Sequence, residues 1–190
     1  MTTAPTDSAA VNAVRRHDRR QDRVTLLRGT AIISTGYGIG AAIQPELTSI
    51  ELGKGEIKRS GEKIAILAFG SMVAPSLGAA ADLNATVANM RFVKPLDVEL
   101  VKQLAQDHDC FVTVEEGATM GGAGAAVAEA MAAAGIVKPL LILGLPDKFI
   151  DQGDPAALLA SVGLDAKGIA ASIRARFGAA GEPRLVAVKT

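Results

Sequence analysis

Two adjacent carboxylates, Glu115 and Glu116, stand shortly before Gly121, Gly122 and Gly124. A glycine-rich helix start leaves backbone N–H groups free and can hold an anion. Two carboxylates beside that start would repel a phosphate. The residues therefore favour another role, in which the glutamates cap the helix N–H groups or pair with a cation. The glycines then let the helix come close to the sheet. Arg91 and Asp97 form a second group. Arg91 follows one expected strand and Glu115-Glu116 follow another. In a parallel sheet both strand ends lie on one edge. If the strands are neighbours, the guanidinium reaches a carboxylate in a forked pair. His108 lies between Asp107 and Asp109 at an expected helix end, where a solvated cap interaction is the expected role. Cys110 has no sequence cue for a lowered thiol pKa. His17 sits in a polar leader. These residues assign no acid–base pair, nucleophile or cofactor contact, and the spacing of two histidines and one cysteine is not that of a zinc site.

The elements that must position these groups follow from hydrophobic patterning. Residues 111–114 (FVTV) read as a buried strand, with the glutamates at its end and Gly117 breaking it. The alanine-rich run at 125–134 reads as a helix. Residues 63–69 (KIAILAF) are apolar throughout, as parallel strands covered on both faces are. Ser71 is read as the N-cap of a helix over 72–83. A strand over 85–90 leads into a loop at 91–96, where Pro95 stops strand pairing. Asp97 caps a helix over 98–106, with Val98, Val101, Leu104 and Ala105 on one face. Residues 140–143 read as a strand. Asp154 before Pro155 opens a helix to 162. Asp165 opens a last helix over 166–177, and Gly178 ends it. Residues 47–58 read as a connector running into a short strand. Alternation from residue 63 onward predicts an α/β three-layer sandwich, with a mostly parallel sheet of about five strands and helices on both faces.

The 190 residues suffice for one domain with a real core. Lys plus Arg and Asp plus Glu number 20 each, so the net charge is zero and no nucleic-acid surface is expected. The first 28 residues are polar, with Arg15, Arg16, Arg19, Arg20 and Arg23 clustered. Asp18 and Asp22 interleave and no aromatics accompany them. This reads as a solvated leader or one exposed helix. No uninterrupted apolar run reaches the ~18 residues of a membrane span, so no membrane partner is expected. One cysteine fits a reducing cytoplasm. Residues 31–33 look strand-like, and Gly36 to Gly40 has the wrong glycine spacing for a dinucleotide site.

Six stretches carry a resemblance: 51–57 (ELGKGEI), 66–71 (ILAFGS), 90–97 (MRFVKPLD), 112–124 (VTVEEGATMGGAG), 143–155 (LGLPDKFIDQGDP) and 162–169 (VGLDAKGI). Together they resemble the C-terminal domain of 1-deoxy-D-xylulose-5-phosphate synthase, a thiamine-diphosphate enzyme of the transketolase type. Arg91 with Pro95 and Asp97, and the glutamates before the glycines, resemble the wider transketolase C-terminal group. The run LGLPDKFIDQGDP narrows the match to the synthase. The resemblance implies a leader and remnant of a preceding domain at 1–46, expected to be poorly ordered, a domain at 47–180 and a tail at 181–190. It implies structural or interface roles for Arg91, Asp97, Glu115, Glu116, Gly121, Gly122 and Gly124. The family's complete enzyme joins pyruvate, after decarboxylation, to glyceraldehyde 3-phosphate for isoprenoid and thiamine precursors. Thiamine diphosphate is its electron sink and Mg²⁺ holds the diphosphate. The family's GDG metal motif does not occur here. Its catalytic glutamate and substrate-binding histidines lie in domains that would precede this one. Ser34-Thr35-Gly36 stand where the family has YPRG, without its phosphate-contacting arginine. The chain is thus expected to be a truncated or separately encoded piece, inactive alone and without cofactor. Its expected partner is a second copy or a chain carrying the thiamine-diphosphate domains. The remaining alternative is a non-catalytic interaction module.

Overall fold

The computed structural model of the protein describes residues 49–178. The expectations for the leader, for 31–33, for Gly36 to Gly40 and for the tail lie outside the described residues. The described chain runs β1 (Glu56–Arg59), β2 (Lys63–Ala68), α1 (Val73–Ala81), β3 (Thr86–Asn89), α2 (Val98–Asp107), β4 (His108–Ala118), α3 (Ala123–Ala133), β5 (Leu140–Leu145), α4 (Pro155–Ser161) and α5 (Ala166–Phe177). The strands form one sheet in the order β1-β3-β2-β4-β5. β2 pairs in parallel with both β3 and β4, and β4 with β5. β1 joins β3 antiparallel, with Glu56 opposite Asn89.

The side-chain period of two along β2 divides the core. Ile64, Ile66 and Ala68 face one side, with Val112 and Val114 of β4 and Ile169, Ile173 and Phe177 of α5. Ala65, Leu67 and Phe69 face the other, with Leu100, Val101 and Leu104 of α2 and Val127 and Met131 of α3. A sheet covered on both faces explains why KIAILA is apolar at consecutive positions. The three-layer α/β expectation is met.

Capping sets the helix starts. Asp97 accepts from the Leu100 N–H, Asp154 from Ala157 and Asp165 from Gly168, each at position N3. Ser71 is not a cap. Gly70–Met72 forms a single 3-10 turn ahead of α1, and neither its start nor that of α1 carries a side-chain cap. Gly70 enters that turn at φ 59, a left-handed value that suits glycine. β4 is longer than the FVTV run at both ends: pairing with β2 begins at His108, and Gly117 does not break the strand as expected, because after a shift in register Ala118 still pairs with Leu145 of β5.

α1 and α5 run in the same direction. A Cβ on Gly78 would lie 2.9 Å from the Ala166 Cβ, and Arg174 meets Asp82 at 3.9 Å one turn or more further down each helix. By length and composition alone, the stretch Pro155–Phe177 could cross a membrane, with mean hydropathy 1.4. It folds as two helices instead, broken at Gly163 with φ 76. The second presses Ile169, Ala170, Ile173 and Phe177 into the core.

Phe177 closes that core at the end of α5 and is fully buried. Phe177→Ala should cost about 3–5 kcal/mol, from lost burial plus the cavity left behind. Urea unfolding followed by circular dichroism gives the comparison with wild type. A loss under about 1 kcal/mol would show that α5 is not part of the cooperative core.

Candidate functional site at the carboxyl edge of the sheet

β4 delivers Glu115 to the edge of the sheet, one residue past its pairing with β2 and β5 at Val114. The Glu115 side chain turns under the first turn of α3. Its Oε2 accepts from the Ala123 N–H at 2.7 Å and its Oε1 from the Gly124 N–H at 2.8 Å. The residue is only 5% exposed. Both oxygens therefore receive charge-assisted bonds from the positive end of a helix. This carboxylate fills the position that an anionic ligand would take at such a helix start. Of the two roles left open for the glutamates, Glu115 takes the capping one.

The neighbouring glycines follow from that contact. A Cβ on Gly122 would run into Glu115 Oε2 and the Ala118 carbonyl. A Cβ on Gly124 would lie 2.5 Å from Ile142 Cγ2 and 2.6 Å from Thr113 Oγ1, so any side chain there would lift the helix off the sheet. Gly121 takes φ +73 in the turn between strand and helix. Glu116 points the other way along the strand and is exposed. It accepts a hydrogen bond from the Ser71 hydroxyl, which links the edge of β4 to the turn after β2.

Arg91 does not reach either glutamate. β2 lies between β3 and β4 in the sheet, so the ends of β3 and β4 are not neighbours. β1 lies on the other side of β3, and Arg91 pairs with its Glu56. Arg91 holds φ 58, which turns the chain at the strand end, and its N–H donates to Asn89 Oδ1 at 3.1 Å. Glu56 also meets Lys58 at 2.8 Å. Its carboxyl is held below the usual range, chiefly by the hydrogen bond from Lys58; burial opposes this, and the charges of Lys58 and Arg91 and the hydrogen bond from Arg91 add to the lowering. Glu56 was missed because nothing in a single sequence indicates that β1 lies antiparallel beside β3.

Asp97 does more than cap α2. Its Oδ2 accepts from the Gly55 N–H at 3.0 Å, and Lys54 Nζ lies 3.8 Å from Oδ1. One buried carboxylate thus stitches the connector before β1 to the start of α2. A Cβ on Gly55 would lie 2.6 Å from Leu100 Cδ2, which accounts for glycine there.

His108 and Cys110 lie at the opposite end of β4. His108 is buried, not solvated as expected. Its Nδ1 lies 2.8 Å from the Leu104 carbonyl and donates to it. Its Nε2 lies 2.7 Å from Thr86 Oγ1, which itself accepts from the Gly61 N–H at 2.9 Å. The strand begins where the helix was expected to end, and that pulls the ring inside. Cys110 is fully buried, and burial, aided by the Asp109 charge, pushes its thiol up to about 11. It is a packing residue and not a nucleophile. Among the described residues, no group of three or more His, Cys, Asp or Glu could hold a metal ion.

Two measurements check this geometry. Glu115→Gln replaces one acceptor with an amide that cannot accept from a backbone N–H, and should cost about 1–3 kcal/mol. Glu116→Gln, at an exposed position, should stay within about 0.5 kcal/mol. Equal urea midpoints for the two variants would refute the clamp. Separately, a carboxylate whose folded pKa is depressed stabilises the fold above its unfolded value. That contribution is lost as pH falls through the lower folded pKa. In a double-mutant cycle, the Glu56–Arg91 coupling should be about 0.2–1 kcal/mol at neutral pH, since Glu56 is 40% exposed. It should vanish on acidification below the ordinary Glu value of 4.5. Coupling unchanged at pH ~2 would contradict the ion pair.

Comparison with known proteins follows the same outline. Residues 53–169 match the family model described as transketolase, C-terminal domain. A protein of Cupriavidus metallidurans named 1-deoxy-D-xylulose-5-phosphate synthase is 66% identical over 157 residues, which are 80% of this chain and 25% of that protein. Its namesake in Paraburkholderia xenovorans is 63% identical over 147 residues, 75% of this chain and 23% of that one. The chain therefore spans about a quarter of the length of the curated relatives it matches. The solved structure of a "Split gene transketolase, inactive beta4 tetramer" superposes with a TM-score of 0.67 at 32% identity, covering 77% of this chain and 48% of that one.

Proposed function

Since the chain belongs to the transketolase C-terminal domain family, we propose that it serves as the C-terminal domain of a 1-deoxy-D-xylulose-5-phosphate synthase. In this reading it assembles with the polypeptide that carries the thiamine-diphosphate domains and does not catalyse alone. The observation that carries the reading is 66% identity confined to a quarter of the relative's length. The complete enzyme would condense pyruvate with glyceraldehyde 3-phosphate, and thiamine diphosphate would supply the electron sink. The whole lies in the cytoplasm, where a lone cysteine stays reduced.

The described residues do not fit that cofactor. The glycine-rich start of α3 is the kind of place that takes a diphosphate, but Glu115 already satisfies its Ala123 and Gly124 N–H groups. A diphosphate there would have to displace a buried carboxylate and then sit beside it. No metal-binding cluster lies among the described residues. The domain's part is therefore structural, holding the synthase or its dimer together. A second reading, a separately encoded subunit, is supported by the split-gene relative, whose name describes a tetramer of one chain type.

Isothermal titration of the purified chain with thiamine diphosphate and Mg²⁺ tests the reading. No binding in the micromolar range is expected, and no sugar phosphate from pyruvate and glyceraldehyde 3-phosphate. Micromolar cofactor binding would sink it.

A further inference from the structure

The two outer strands of the sheet differ in how they meet solvent. β1 is 4 residues long, carries Glu56, Lys58 and Arg59, and slips register between Ile57 and Arg59. Shortness, charge and a bulge are the usual protections of an unpaired strand. β5 has none of them. It runs 6 residues, LLILGL, and each is half-buried. Among the described residues, no strand pairs with its outer side. The Phe111 N–H donates to the Pro139 carbonyl at 2.8 Å, and the Thr119 N–H to the Leu145 carbonyl at 3.2 Å. The odd-numbered residues of β5 therefore turn their backbone groups toward β4. By the alternation of a strand, Leu140, Ile142 and Gly144 turn theirs outward. A bare apolar strand with unpaired backbone groups is a template for another strand.

The residues of β5 and its two ends indicate which strand. In an antiparallel ladder, outward residues pair with outward residues. A two-fold axis at Ile142 sets Ile142 against itself and Leu140 against Gly144 of a second copy. Every outward N–H and C=O then finds a partner, and Gly144, without a side chain, leaves room for the opposing Leu140. An axis at Leu143 would set Leu140 against Pro146, which has no N–H to give, and Lys138 against Lys148. The Ile142 register instead brings Lys138 of each copy opposite Pro146 and next to Asp147 of the other. Neither Lys138 nor Asp147 has an ion-pair partner among the described residues. Antiparallel pairing thus joins opposite charges at both ends, whereas parallel pairing of two copies would set like beside like. We infer that β5 is a self-complementary interface, on which a second copy of this chain lays its own β5 antiparallel to make one continuous sheet. The inference goes beyond the functional reading and does not rest on it.

The test uses the full chain. Sedimentation should show a reversible dimer. Amide exchange followed by NMR should show Leu140, Ile142 and Gly144 protected in the dimer and exchanging fast on dilution to monomer. Lys138→Glu alone and Asp147→Lys alone should each weaken the dimer about tenfold, since each sets like charges together at both ends of the ladder. The two combined should restore it to within about twofold of wild type. Circular dichroism of the variants should match wild type; should it not, Lys138→Gln and Asp147→Asn replace them, each weakening the dimer about threefold. A chain that stays monomeric up to ~100 μM overturns the interface and leaves the functional reading standing. So does a dimer that is indifferent to both charge reversals, or one whose three amides still exchange freely. Protection of the same amides in a monomer would place a segment of the same chain on β5, and overturns it as well.

Discussion

The carboxyl edge of this domain depends on one buried carboxylate. Glu115 takes two of the backbone N–H groups that α3 leaves without an intrahelical partner at its start, and so joins strand to helix without a ligand. Burying a carboxylate is costly unless charge-assisted bonds and a favourable dipole offset it, and both are supplied here. The close approach has consequences for sequence. Gly122 and Gly124 are glycines because a methyl group would strike the carboxylate or the sheet. The clamp therefore converts what looks like an anion site into a rigid corner.

Strand order decides how the remaining charges are used. With β2 at the centre, β3 and β4 are separated, and Arg91 turns outward to β1. Asp97 fastens the same region from the other side through Gly55 and Leu100. The edge is thus held by two independent sets of bonds, one around Glu115 and one around Asp97 and Arg91.

The opposite end of β4 is chemically quiet for physical reasons. His108 is bonded at both ring nitrogens within the core, and the Cys110 thiol is too desolvated to ionise readily. Potentially reactive side chains in this domain are spent on packing.

Much of the architecture was legible in the residues. Consecutive apolar residues in KIAILA signal a strand buried on both faces. Asp97, Asp154 and Asp165 mark three helix starts, since a short carboxylate reaches the N3 N–H from a fixed distance along the chain. The capping role of Glu115 was among the options, because glutamates beside a glycine-rich helix start leave little else. These are local properties, and local sequence determines them. The partner of Arg91, the burial of His108 and the bare 3-10 start of α1 were decided only by the tertiary structure. Each depends on which strand lies beside which, and that choice is made by the packing of the whole sheet. An antiparallel β1 added next to β3 carries Glu56 to Arg91 across 35 residues of sequence, a separation over which no periodicity or spacing rule holds.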